Sequence, residues 1–77
     1  MDAQIWIDRL YEDEALTGDL DQHDREGLLA WGENRLAECD SEHEALLVFA
    51  SIRRMAGLIA GGGRYSLVER LVLRRAT

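Results

Sequence analysis

Seventy-seven residues are expected to form one domain, 1–77, whose small core leaves stability marginal unless something staples it. With 47% apolar residues, 31% charged residues and a net charge of -6, the balance is that of a globular chain and excludes a disordered one. Cys39 is the only cysteine, which excludes an intrachain disulfide and points to a reducing, cytoplasmic setting with a partner chain as the staple.

The opening MDAQIWIDRL has no basic stretch leading into an apolar core, so a signal peptide is not expected. The longest strongly apolar run, ALLVFASI at residues 45–52, is too short to span a bilayer. The charge is divided along the chain. Residues 1–44 hold fourteen acids and three arginines, a net of -11, whereas residues 45–77 hold Glu69 and six arginines, a net of +5. Either the two halves pair within the chain or across a dimer, or the arginines meet an outside acid such as nucleic acid. The first reading is favoured, because the acidic half repels a polyanion and association responds to the summed field.

In chain order, Ile5, Trp6, Ile7, Leu10, Tyr11 and Leu16 come first. Ile7, Leu10 and Tyr11 keep three- and four-residue spacing, which predicts an amphipathic helix over 2–16 with Gly18 as the cap residue beyond its end.

TGDLDQHDREG, residues 17–27, invites a calcium-loop reading. An EF-hand needs oxygen ligands at its first, third and fifth positions, glycine at the sixth and glutamate at the twelfth. Counting from Asp19 puts Asp24 at the glycine position and Ala30 at the glutamate position; counting from Asp21 puts Glu26 and Gly32 there. Both registers fail. A helix start fits better: Asp19 or Asp21 caps, and Asp24 and Glu26 lie in the first turn, where the helix dipole favours negative charge.

The second helix is predicted over 22–38, with a core stripe of Leu28, Trp31 and Arg35 beside Leu29 and Leu36. Gly27 and Gly32 each cost about 1 kcal/mol inside a helix and are read as room for another helix to approach. CDSEHEALL marks the next boundary: Ser41 followed by Glu44 is a capping box. The third helix, over 42–60, is apolar on most of its circumference, which predicts a central position and again a second chain to cover it.

LIAGGGRYS ends that helix. A phosphate-binding loop needs its glycines between a strand and a helix and a lysine after them. These glycines follow a helix and the chain has no lysine, so the run is read as a helix end and a turn. A fourth helix is predicted over 65–75, with Leu67, Val68, Leu71 and Val72 on one side and Arg70 and Arg74 on the other.

Candidate chemistry is sparse. His23, Cys39 and His43 are the residues from which a zinc site could be assembled, but no C-x-x-C or H-x-x-x-H pair supports one. Cys39 with either histidine could make a nucleophile and base, though a lone cysteine is ordinarily inert. No metal, cofactor or catalytic residue is expected.

The expected fold is all-α: about four short helices in an antiparallel bundle or an orthogonal array, with no sheet. The expected function is a non-enzymatic protein–protein interaction or regulatory module that forms a homodimer. Its interface is expected at Leu46, Phe49, Ile52, Met55, Ile59, Leu67, Leu71 and Val72, and its contacts to an acidic partner at Arg53, Arg54, Arg64, Arg70, Arg74 and Arg75. The first alternative is a helix-turn-helix-like nucleic-acid binder running from the third helix through AGGGRYS into the fourth. The second is a small metal-binding protein on His23, Cys39 and His43.

Overall fold

The computed structural model of the protein describes residues 1–60. They form α1 (Ala3–Glu12), α2 (Glu14–Thr17), α3 (Gln22–Glu38) and α4 (Glu42–Ala60), with no strand among the described residues. The all-α expectation is met. The ranges predicted for the second and third helices are those of α3 and α4, while the helix predicted over 65–75 lies outside the described residues.

The helix predicted over 2–16 divides at Asp13, whose backbone sits at φ -88° and ψ 84°. Its N–H still reaches the Arg9 carbonyl at 3.1 Å, and its own carbonyl accepts the Leu16 N–H at 3.2 Å. Packing gives the reason for the break. Leu10 and Leu16 are both buried, yet on one continuous helix positions six apart point about 240° from each other. The break turns Leu16 and Thr17 inward. Gly18 does cap α2, but in right-handed backbone (φ -59°, ψ -35°). Its role is close approach: a Cβ there would sit 2.7 Å from the Glu14 carbonyl oxygen.

The buried face of α1 is Trp6 and Leu10, with Ile7 half-buried and Tyr11 exposed. It is rotated from the Ile7, Leu10, Tyr11 stripe. On α3 the inward row is Asp24, Leu28, Gly32 and Leu36, every fourth residue, and Trp31 and Leu29 only flank it. Arg35, expected in that stripe, is exposed and pairs with Glu38 at 3.4 Å.

Three helix starts are capped by their own sequence. Asp2 accepts the Gln4 N–H at 3.0 Å, and Asp21 accepts the Asp24 N–H at 2.9 Å. Ser41 Oγ accepts the Glu44 N–H at 3.2 Å, while the Glu44 carboxylate accepts the Asp40 N–H at 2.9 Å. The predicted capping box therefore forms, with its return bond reaching one residue further back than usual.

α3 packs against both α1 and α4. The tightest point is Gly32, where a Cβ would meet Leu10 Cδ2 at 2.8 Å and Ile52 Cδ1 at 2.9 Å. Trp6 and Phe49 close the core from α1 and α4, with ring centroids 5.4 Å apart and planes tilted by 57°. This offset, tilted arrangement is the one aromatic quadrupoles favour.

Two glycine substitutions should therefore have opposite signs. Gly57 lies in α4 with nothing within 4 Å of a built Cβ, so Gly57→Ala should stabilise by about 0.5–1 kcal/mol through helix propensity alone. At Gly32 the same gain is opposed by overpacking of about 1–3 kcal/mol. Leu10 and Ile52 are fully buried and have little room to retreat, so Gly32→Ala should destabilise. Urea unfolding of both variants checks the pair, and a stabilised Gly32→Ala would refute the tight crossing.

Candidate functional site

One end of the molecule holds an open cleft of about 490 Å³, lined by Met1, Asp2, Ile5, Trp6, Arg9, Asp40, Ser41 and Glu42. It lies where the starts of α1 and α4 meet. Its floor is apolar and its rim is acidic, but several of its groups are already engaged. Asp2 and Ser41 cap their helices. The Arg9 guanidinium lies 5.3 Å from the Trp6 ring centroid and 5.8 Å from that of Phe49, so it occupies the ring face where an outside cation would bind. This cleft is a junction between two helix starts.

The two arginines of α3 are likewise engaged. Arg25 donates from Nε to the Thr17 carbonyl at 3.2 Å and from Nη2 to the Gly18 carbonyl at 3.1 Å, satisfying carbonyls that the end of α2 leaves open. Arg35–Glu38 is the only ion pair among the described residues, and both partners belong to α3. Arg53 and Arg54 are exposed on α4 and have no ion-pair partner among the described residues.

The metal and nucleophile candidates do not converge. His23 lies in the first turn of α3 and Cys39 caps its other end, which at 1.5 Å per residue separates them by about 24 Å. His43 is exposed in the first turn of α4. No three His, Cys, Asp or Glu side chains come together as a metal-binding group among the described residues. The Cys39 thiol donates to the Arg35 carbonyl at 3.2 Å. Burial pushes its pKa up, and the Glu44 carboxylate adds to the shift. Tyr11 donates to Glu33 at 2.6 Å, tying α1 to α3, and this bond raises the phenol pKa by holding its proton.

The residues expected at an interface separate into groups. Phe49 and Ile52 are buried, because they supply the face that α4 turns toward α1 and α3. Met55 and Ile59 are half-buried against that same core. Leu46 stays exposed at 52%. Leu67, Leu71 and Val72, with Arg64, Arg70, Arg74 and Arg75, lie outside the described residues, as does the end of the helix-turn-helix reading. Sequence reasoning assigned Leu47 and Leu58 to a helix wrapped on nearly all sides, yet both are 57% exposed. The separation was readable in principle: Ala45, Phe49, Ile52 and Ala56 repeat at helical spacing and leave Leu47 and Leu58 on the other side.

No family model matches the chain, and no curated protein or solved structure matches it. No helix among the described residues is long and apolar enough to cross a membrane.

Cys39 should behave as a protonated, slow thiol. Its raised pKa keeps thiolate scarce at neutral pH, and the thiolate is the reactive form. Alkylation by iodoacetamide should lag behind a free cysteine at neutral pH and accelerate only above the ordinary thiol range. Fast modification at neutral pH would contradict this.

Proposed function

We propose that this chain is a non-catalytic helical interaction module that works as a homodimer. The observation that supports the reading is the outward face of α4. Leu46, Leu47 and Leu58 are each more than half exposed, although the same helix already fills the core through its opposite face. Leu47 and Leu58 point in nearly the same direction and Leu46 lies about 100° round the helix from Leu47; exposed apolar side chains on the open side of a helix are the ordinary mark of a contact surface. A short chain with no disulfide also gains most from a partner. Apolar burial drives the association, and charge sets its geometry, since exposed ion pairs contribute only about 0–1 kcal/mol each.

Light scattering at micromolar concentration in about 0.5 M salt, where the screening length is only a few ångströms, tests this. The expected mass is twice the 8.7 kDa of one chain. A single species at 8.7 kDa would refute the homodimer, and a dimer that salt dissociates would give ion pairs the leading role.

A further inference from the structure

The cleft between the starts of α1 and α4 holds groups that the fold leaves unused. Ile5 and Met1 line it and stay 63% and 48% exposed. The carboxylates of Asp40 and Glu42 also line it, and among the described residues they accept no hydrogen bond and pair with no cation. Arg9 is held over the Trp6 and Phe49 rings and forms no ion pair with either acid. An apolar floor beside two open carboxylates calls for an occupant that carries aliphatic side chains next to cations.

The chain itself carries that pattern. Residues 71–77 read LVLRRAT. Residues 61–77 hold four arginines and Glu69, a net of +3, whereas residues 1–60 hold fourteen acids and five arginines, a net of -9. We infer that residues 71–77 occupy the cleft of their own chain, with Leu71 on Ile5 and Met1 and with Arg75 at Asp40 and Glu42. Residues 71–77 lie outside the described residues; the cleft, the charge and the reach of the chain carry the assignment. Leu71 and Arg75 are four positions apart, so they share a side in a helix and in an extended strand alike.

Reach is sufficient. Glu42 begins α4 and Ala60 ends it, about 27 Å apart at 1.5 Å per residue. Fifteen residues lead from Ala60 to Arg75, so the chain needs to advance only about 2 Å per residue, well inside the roughly 3.3–3.6 Å of extended backbone. The helix expected over 65–75 leaves enough length: it supplies about 15 Å, and the five residues before it up to about 17 Å. One apolar contact and an exposed ion pair would be weak between free partners. A tethered segment meets its site at an effective concentration on the order of millimolar, which favours the chain's own segment over an outside peptide of the same chemistry. Glu42 and Leu47 point about 140° apart on α4, so filling the cleft leaves the Leu47 and Leu58 side of the helix open for the homodimer contact.

The test is a nitroxide beside the cleft in the full chain. Gln4→Cys in a Cys39→Ser background places it next to Ile5, at an exposed position whose backbone N–H still reaches Asp2. In the isotope-labelled protein, the amide signals of Leu71 to Arg75 should be broadened as strongly as that of Ser41, which lines the cleft. Arg74→Gln with Arg75→Gln, and separately Asp40→Asn with Glu42→Gln, should each abolish the broadening at Leu71 while Ser41 stays broadened. The first pair lies outside the described helices, and the Ser41 signal reports that the second pair keeps its fold. Leu71 to Arg75 signals that the nitroxide leaves unchanged overturn the docking, and broadening that survives both charge pairs overturns the role of charge in it. Broadening that persists when only a second, unlabelled chain carries the nitroxide puts the segment in a neighbouring copy and overturns the assignment to its own chain.

Discussion

Gly32 is the residue on which the packing of the three long helices depends. Leu10 of α1 and Ile52 of α4 both come within 3 Å of where its Cβ would be, so the missing side chain is what lets the other two helices close on α3 at one level. Much else follows from this approach. It brings α1 and α4 near enough for the Trp6 and Phe49 rings to pack at a tilt. It brings α1 along α3 so that Tyr11 reaches Glu33. A glycine within a helix costs about 1 kcal/mol against alanine. Here that cost is offset by two fully buried aliphatic side chains, each contributing roughly 1.5–3 kcal/mol on burial.

The charge layout follows a different logic from the one its division along the chain suggests. Opposite charges do not knit the described residues together, because the one ion pair lies within α3 and is exposed on both sides. The arginines are placed by their planar geometry. Arg25 closes carbonyls at the end of α2, and Arg9 lies over two aromatic rings. A guanidinium suits both tasks, since it carries several donors in one plane and is weakly hydrated enough to sit on an apolar face. The carboxylates are placed by the backbone. Asp2 and Asp21 cap helices, and Asp21 is held below the usual carboxylate range chiefly by the Asp24 N–H it accepts. That contribution is present at neutral pH and is lost as the pH falls through the lowered pKa.

Helix identity and helix ends were legible where local chemistry decides them. The Ser41 and Glu44 box and the Asp21 cap sit next to the backbone groups they serve, so four residues suffice to read them. Helix faces were less legible, because a face is chosen by what lies opposite. On α3 two of the four inward positions are Asp24 and Gly32, so the apolar pattern pointed to Trp31 and Arg35 instead. The break at Asp13 was hidden for the same reason. Nothing in EDEAL forbids a helix, and only the need to bury Leu16 along with Leu10 requires a turn. The contact of Arg9 with Phe49 and those of Arg25 with Thr17 and Gly18 depend on partners in other elements and left no local signal. At the surface, charge segregation was visible, but the division of α4 into a buried and an exposed row was masked by leucines on both.

That double row is what a chain of this size would avoid if α4 had only one neighbour layer to satisfy. The buried row needs apolar residues at about every third or fourth position, and the opposite row is free to be polar at no cost to the core. Instead it holds Leu47 and Leu58, each more than half exposed, and Gly57 where alanine would favour the helix. Each choice is unfavourable or neutral in an isolated monomer. Leu47 and Leu58, eleven residues apart, point in nearly the same direction on the helix. The two faces of α4 thus differ in their physical basis: one is matched to α1 and α3, and the other keeps large apolar side chains more than half exposed, a surface that contributes to stability only where something covers it.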